Sequence, residues 1–157
     1  MGHRKAEGRM EEMKKWEEYA TMDEAIDDYI EKMSAYGRKL NRTEARKAIE
    51  KKIPLESKYQ EKIIKYLRSL PECIDVWKEN AGAYASSNGT PDVTAVMKPG
   101  GIYFGFEVKR PLLGKLSEIQ RARIEKITEG GGHAYQVVTV DEVKRILIQE
   151  GIINENK

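Results

Sequence analysis

The chain has 157 residues, 39% hydrophobic and 34% charged, which allows one α/β domain with an appendage but excludes two large independent domains. Its single cysteine, Cys73, excludes an internal disulfide framework and a cysteine-rich zinc site, and we expect it in the core of a protein in a reducing compartment. Apolar runs are short and the N-terminus is charged, so we predict no membrane span and no signal peptide, and a soluble, intracellular protein.

The net charge of +2 conceals a segregation of charge along the chain. Residues 11–31 carry nine acids against two lysines, whereas residues 38–52 carry seven bases against two glutamates. A third block, 109–126, holds six bases against two glutamates. Basic blocks are what a polyanionic partner requires, although an exposed helix face is the more frequent explanation of any one of them.

The first 54 residues predict a helical extension, of which the first eight or so are expected to be disordered. Thr21 and Glu24 form a capping-box pattern before a helix ending at Gly37. Its apolar stripe comprises Tyr19, Met22, Ile26, Tyr29, Met33, Tyr36 and Leu40. Asn41 or Thr43 would cap a second, basic helix that reaches Lys52 before Pro54. The pair is either a hairpin packed within its own chain or a dimerisation contact through the stripe.

Residues 55–157 predict one compact α/β unit, with the domain boundary at 54/55. The predicted elements are a helix at about 56–69, strands at 74–77, 93–97 and 102–109, a helix at 117–129, a strand at 134–140, and a helix from an Asp141 cap to Gly151. A small polar loop, 82–90, precedes the second strand, and Pro99-Gly100-Gly101 forms a turn. The order is therefore helix, three strands, helix, strand, helix.

Two short motifs on neighbouring strands carry the chemistry. Gly89-Thr90-Pro91-Asp92 opens one strand, and Glu107-Val108-Lys109 ends the next. Two carboxylates so placed offer the hard oxygen ligands that Mg²⁺ or Mn²⁺ prefers, and Lys109 lies on the same strand face as Glu107 because side chains alternate. Glu-x-Lys recurs at five other places, but only here does it follow an aromatic, β-branched strand. Burying both charges there without an ion would be unfavourable.

Two further polar residues have both a structural and a functional interpretation. Glu56 extends the apolar stripe of the first α/β-unit helix toward the core, but it would also be a favourable charge at a helix N-terminus. Gln120 completes a capping box with Ser117, and it shares a helix face with Ile124. Both interpretations stay open for each residue.

Several other kinds of site are disfavoured. His3 and His133 are far apart in sequence and unlike a zinc ligand cluster, so His133 is expected to be structural. The chain has no phosphate-binding loop, no Ser/His/Asp constellation and no dinucleotide fingerprint, so we predict no nucleotide cofactor.

This combination resembles the PD-(D/E)xK nuclease superfamily and, more narrowly, a stand-alone VRR-NUC domain. The likeness rests on Glu56, Gly89-Thr90-Pro91-Asp92, Glu107-Val108-Lys109, Leu116 to Gln120 and Gly131-Gly132. It covers about residues 55–150 and leaves 1–54 outside. The resemblance implies a restriction-endonuclease-like core with a mixed central sheet.

The resemblance also implies a role for each matching residue. The metal ligands would be Asp92, Glu107, the Val108 carbonyl oxygen and, directly or through water, Glu56. Lys109 would orient the attacking water. Gln120 would steady Lys109 or the substrate phosphate.

The implied function is a Mg²⁺- or Mn²⁺-dependent endonuclease for branched DNA. Small stand-alone members of the family resemble Holliday-junction resolvases that act as homodimers, and many are phage-encoded. Candidate DNA contacts are Arg110, Lys115, Arg121 and Arg123. A departure from the family is that residues 81–88 contain no arginine or lysine. Alternatives are a non-catalytic nucleic-acid-binding module and an interaction factor acting through the acidic helix, 11–31.

Overall fold

The computed structural model of the chain describes residues 13–79 and 88–156. The predicted N-terminal disorder and most of the predicted 82–90 loop lie outside these ranges. The chain divides into two compact units, Met1–Lys52 and Ile53–Lys157. No helix within the described ranges is both long and apolar enough to cross a membrane.

The first unit contains a short 3-10 turn, Trp16–Glu18, and helix α1, Met22–Ala35. Thr21 caps α1 as predicted, since its hydroxyl accepts a hydrogen bond from the Glu24 amide at 3.1 Å. The Glu24 carboxylate reaches back to the Ala20 amide at 2.8 Å, one residue before the one a capping box would use. Gly37, at φ 75°, follows the helix in the left-handed conformation that glycine favours.

Helix α2, Arg42–Lys52, packs against α1. Asn41 is its N-cap, because the Asn41 side chain accepts from the Glu44 amide and the Glu44 carboxylate accepts from the Asn41 amide, both at 2.9 Å. Arg42 forms ion pairs with Asp23 and Asp27 of α1. Arg42 of the basic segment thus pairs with two carboxylates of the acidic segment within one helical hairpin. Dimerisation through the Tyr/Met stripe stays a prediction.

The second unit has the predicted order of elements. Its members are α3 Glu56–Ser69, β1 Cys73–Lys78, β2 Val93–Met97, β3 Ile102–Val108, α4 Glu118–Glu129, β4 His133–Val137 and α5 Val140–Gln149. Helix α3 begins after the predicted proline at 54 and α4 after the predicted Ser117 cap, because such groups remove or satisfy the free amides of the first turn.

The four strands form one mixed sheet in the order β1-β2-β3-β4. The first three strands are antiparallel, and β4 runs parallel to β3. Alternation along β3 places Phe104, Phe106 and Val108 on one face and Gly105 and Glu107 on the other. The core contains the β3 apolar face together with Ile63 and Leu67 of α3 and Val143 and Leu147 of α5. The predicted fold class is confirmed.

The start of α5 was predicted wrongly. Strand β4 ends at Val137, and the helix is capped by Thr139 rather than Asp141. The Thr139 hydroxyl accepts from the Glu142 amide at 3.2 Å, and the Glu142 carboxylate accepts from the Thr139 amide at 3.3 Å. This reciprocal pair places the cap two residues earlier than predicted, and so ends the strand earlier.

Two other expectations concern single residues of this unit. Cys73 is only partly buried, although it packs against the core. His133 stacks on Phe104 with 4.5 Å between ring centroids, and its Nδ1 lies 3.3 Å from the Glu150 carboxylate. These are packing contacts of the kind expected of a structural residue.

We predict that Thr139→Ala lowers the free energy of unfolding by about 1 kcal/mol, because the Glu142 amide loses its acceptor. Urea unfolding followed by circular dichroism measures the change. Thr128→Ala is the matched control, since Thr128 is exposed and its hydroxyl bonds only back to the Ile124 carbonyl. That change should cost less than about 0.5 kcal/mol. Equal effects of the two variants would contradict the assigned cap.

Candidate functional site

The Gly89-Thr90-Pro91-Asp92 motif is a close-fitting turn. Gly89 has φ 64°, and a Cβ atom there would lie 2.6 Å from the Ile119 carbonyl oxygen. Pro91 lies against Gly105, where a Cβ would be 2.7 Å from the proline Cγ. A side chain at either glycine would therefore push the turn away from α4 or β3. The motif brings Asp92 to the start of β2.

Asp92 is fixed by its neighbours on both sides of β2. Its Oδ2 accepts a hydrogen bond from the Val108 amide at 2.8 Å, and its backbone carbonyl accepts from the Glu79 amide at 2.8 Å. The pairing of Val93 with Phe106 puts Asp92 beside Glu107. The predicted meeting of two carboxylates from adjacent strands is thus present in the structure.

Glu107 is the buried centre of the cluster, with 1% of its surface exposed. Lys109, a residue only 8% exposed, has its ammonium 2.9 Å from Glu107 Oε1, and the Gln120 side-chain amide donates to the same oxygen. Burial, helped by the nearby Asp92 carboxyl and opposed by Lys109, raises the pKa of Glu107 to about 7. A buried acid beside a second acid favours either a proton or a cation between them.

Gln120 forms the predicted cap with Ser117, and the same side chain also contacts the carboxylate cluster. Its Oε1 accepts from the Ser117 amide at 2.9 Å, while the Ser117 hydroxyl accepts from the Gln120 amide at 3.2 Å. Its Nε2 donates to Glu107, whereas the resemblance implied contact with Lys109 or the phosphate. The capping geometry explains the difference, because it leaves the amide nitrogen directed at Glu107 and fixes the orientation of that carboxyl.

Lys109 is held by a turn that the sequence interpretation did not connect with the site. Its amide donates to the Val137 carbonyl at 2.9 Å, which continues the pairing of β3 with β4. The chain then folds back so closely that a Cβ on Gly114 would lie 2.5 Å from the Lys109 Cβ. The Gly114 amide also donates to the Arg110 carbonyl at 3.0 Å. The proline and glycine at 111 and 114 signalled a turn, but not one that packs on Lys109.

Glu56 lies at the start of α3 and within the electrostatic influence of the cluster. The pKa of Glu56 is raised, because burial and the nearby Asp92 carboxyl outweigh the opposing effect of Lys109. Gln60 Nε2 lies 3.4 Å from Glu56 Oε1. Across residues 13–79 and 88–156, no three Asp, Glu, His or Cys side chains are close enough to hold a metal ion by themselves. Metal ligation by Glu56 and by the Val108 carbonyl oxygen stays a prediction.

The four predicted DNA-binding residues divide into two pairs. Arg110 donates to the carbonyls of Ile53 and Pro54 at 2.7 and 2.9 Å, which ties the segment before α3 to the end of β3. Arg123 donates to the Asn88 carbonyl at 3.0 Å, beside the Gly89 turn. Lys115 and Arg121 are exposed. Two of the four therefore bind backbone near the site, and DNA contact stays a prediction for all of them.

Of three comparisons with known proteins, the one with solved structures found a match. No family model matches the chain, and no curated protein matches it. A solved structure described as a VRR_NUC domain is similar to this chain. The likeness covers 60% of this chain and 94% of that chain, at 23% sequence identity and a TM-score of 0.48. That description names the family which the motif residues resemble.

The raised pKa of Glu107 predicts a pH-dependent stability in the metal-free protein. The pKa of an ordinary glutamate is near 4.5 and that of Glu107 is raised to about 7. The contribution of Glu107 to the free energy of unfolding is therefore fully present below about pH 4.5 and is lost as the pH rises through 7. At about 1.4 kcal/mol per pKa unit, the full loss is roughly 3 kcal/mol. Urea unfolding in chelator between about pH 5 and 8 measures it. Glu107→Gln should flatten the profile, and an unchanged profile would contradict the assignment.

We predict that Arg110→Ala lowers the free energy of unfolding by about 2 kcal/mol, because hydrogen bonds from a charged donor to the Ile53 and Pro54 carbonyls are lost. Chemical denaturation measures the change. Arg145→Ala, which removes an exposed arginine of α5, is the matched control and should change stability by less than about 0.5 kcal/mol. If Arg110→Ala changes the free energy of unfolding as little as Arg145→Ala does, Arg110 does not hold this segment.

Proposed function

We propose that this chain is a divalent-metal-dependent nuclease that hydrolyses phosphodiester bonds of DNA. The observation that carries the proposal is the Glu107 carboxyl group. It is buried, lies beside a second carboxyl, and is contacted by a nearly buried ammonium. Nothing about folding requires this arrangement, since an apolar side chain at that point of β3 would be easier to bury. Such perturbed acids are typical of functional sites.

The donor set fits a hard divalent cation such as Mg²⁺ or Mn²⁺. Asp92 and Glu107 would hold the ion, since carboxylate oxygens are its preferred ligands and the pair needs a positive charge to be ionised together. The resemblance adds the Val108 carbonyl oxygen and Glu56. When bound, the ion would polarise a phosphoryl oxygen and lower the pKa of a coordinated water.

The other residues of the cluster would position the reacting groups and neutralise the charge that develops on the phosphate. The Lys109 ammonium, 2.9 Å from Glu107, is in place to orient a water molecule or to balance charge that develops on the phosphate. Gln120 keeps the Glu107 carboxyl in one orientation because its own orientation is fixed by the Ser117 cap. Glu56 adds a carboxylate at the edge of the site, where it would contact the ion through water.

DNA is the proposed polymer because a basic segment adjoins the site. Its side chains could contact backbone phosphates, and such contacts require no element that reads bases in a DNA groove. Lys115 and Arg121 are exposed and are the first candidates for phosphate contacts. We further propose selectivity for branched DNA, such as four-way junctions, and action as a homodimer. Two sites related by two-fold symmetry would match the symmetry of a junction.

The competing functions predict a different use of the same residues. A purely binding module gains nothing from two carboxyl groups that would face a phosphate, because they repel it unless a cation lies between. The acidic segment 11–31, on which an interaction factor would depend, is paired in part with α2 through Arg42. The nuclease proposal is therefore the better supported of the three.

We predict that Asp92→Ala, Glu107→Ala and Lys109→Ala each reduce Mn²⁺-dependent cleavage by at least about 100-fold, because each removes a metal ligand or the ammonium. Gel assays on four-way junctions, flaps, single strands and linear duplex measure this, and Ca²⁺ should support DNA binding without efficient cutting. Glu125→Ala, an exposed α4 carboxylate, is the control and should keep wild-type activity. Undiminished turnover by a site variant would remove that residue from the mechanism.

A further inference from the structure

Helix α4 contacts both sides of the carboxylate site through neighbouring residues. Gln120 donates a hydrogen bond to the Glu107 side chain on β3. Arg123, about one turn later, donates from Nε to the Asn88 carbonyl at 3.0 Å. Residues three apart lie on the same face of a helix, so one face of α4 makes both contacts. The first contact belongs to the site already described, and the second leads to Asp92.

Asn88 begins the turn that carries Asp92 to the start of β2. Gly89, the next residue, is buried against the first turn of α4. A Cβ atom on Gly89 would lie 2.6 Å from the Ile119 carbonyl oxygen and 2.9 Å from Ile119 Cγ2. The turn and the helix therefore touch without any side chain between them, and a bond at Asn88 fixes the turn where it meets the helix.

The polar contacts of α4 matter because the helix contributes no buried side chain to the core. None of the residues in Glu118–Glu129 is buried, and Ile119 in the first turn is 52% exposed. Helices in proteins are held mainly by the packing of an apolar face. The first half of α4 therefore depends strongly on the hydrogen bonds of Gln120 and Arg123 for its position on the site.

Two arginines of α4, only two positions apart, have different surroundings. Arg121 is exposed, whereas Arg123 is half-buried and its Nε donates to a backbone carbonyl. A hydrogen bond from a charged donor is stronger than one between neutral groups. Arg123 is thus placed to hold the backbone of the Asn88 turn, and Arg121 is the better placed of the two to reach a phosphate.

We propose that Arg123 is a positioning residue of the nuclease site. Its bond to the Asn88 carbonyl holds the turn before Asp92 against α4. Asp92 thereby stays beside Glu107, where one metal ion can contact both carboxyl groups. Residues that orient metal ligands in this way influence metal affinity without touching the ion. This inference rests on the proposed function, and DNA contact by Arg123 is the competing role.

Two variants separate the positioning role from DNA contact. Arg123→Ala removes both the hydrogen-bond donor and the charge. Arg123→Gln removes the charge but keeps a donor, because the glutamine amide nitrogen is as many bonds from Cα as the arginine Nε. Lys126→Ala, which removes an exposed cation from the same helix, is the matched control and should leave amide exchange and Mn²⁺ affinity unchanged.

The Val108 amide reports the position of Asp92 in the metal-free protein, because it donates to Asp92 Oδ2 at 2.8 Å. In hydrogen exchange followed by NMR, Arg123→Ala should speed exchange of this amide about tenfold, and Arg123→Gln less than about threefold. The Lys109 amide, which donates to β4, should change less than about twofold. No change at Val108 in Arg123→Ala, or equal acceleration of both amides, would overturn the proposal.

Calorimetric titration with Mn²⁺ alone measures the consequence for the metal. Arg123→Ala should weaken Mn²⁺ binding about tenfold, and Arg123→Gln less than about threefold. Unchanged Mn²⁺ affinity in Arg123→Ala would overturn the proposal. So would an Arg123→Gln variant as impaired as Arg123→Ala, because the hydrogen bond would then not be what holds the turn.

DNA binding and cleavage separate this inference from the function on which it rests. If both Arg123 variants weaken binding of a four-way junction in Ca²⁺ equally, while the Val108 amide and Mn²⁺ affinity are unchanged, Arg123 is a DNA contact and the proposal fails. A wild type that binds no Mn²⁺, or that binds it and cuts no DNA, would overturn the nuclease function alone. The Val108 amide would still decide whether Arg123 positions Asp92.

Discussion

The burial of Glu107 is the constraint on which the rest of the site depends. A glutamate at this point of β3 is enclosed by the sheet, by α4 through Gln120 and by the Lys109 side chain. Isolated, such a carboxylate would be strongly destabilising. Lys109 and Gln120 offset this cost in part, and burial together with Asp92 still raises the pKa of Glu107 to about 7. Asp92 and Glu107 therefore ionise together only at a cost that a further positive charge between them would reduce.

The surrounding backbone is shaped to maintain this geometry. Glycines at 89 and 114 allow two turns to approach α4 and the Lys109 side chain more closely than any other residue would permit. Arg110 anchors the segment that leads into α3, and so sets the position of Glu56. These contacts belong to loops at the strand ends, where a rigid sheet typically supports functional groups. Stability and function are thus served by the same few loops.

Much of the fold was predictable because its boundaries carry local signals. Pro71, Gly37 and the Asn41–Glu44 and Ser117–Gln120 pairs fix helix ends through backbone groups that lie within a few residues. The closeness of Glu107 and Lys109 was predictable for a similar reason, since strand alternation alone puts the two side chains on one face. Local signals also misled: the aspartate at 141 seemed a natural cap, but Thr139 with Glu142 satisfies two amides instead of one.

What the sequence could not supply was contact between distant segments. The contact of Gln120 with Glu107 depends on how α4 packs, and the bonds of Arg110 to Ile53 and Pro54 join residues more than fifty positions apart. Arg123 appeared only as one of several basic residues; the packing of α4 against the Gly89 turn is what brings it to the Asn88 carbonyl. Family resemblance gave roles to individual residues, but it did not give these partners.

The most direct test of the central claim is calorimetric titration of Mn²⁺ at about pH 6 in two buffers that differ in ionisation enthalpy. If the ion takes the place of the proton on the Asp92 and Glu107 pair, close to one proton is released per ion bound. Release should disappear near pH 9, and Glu107→Gln should abolish it together with tight binding. Mn²⁺ binding that releases no proton at any pH, or that is unchanged in Glu107→Gln, would contradict the account.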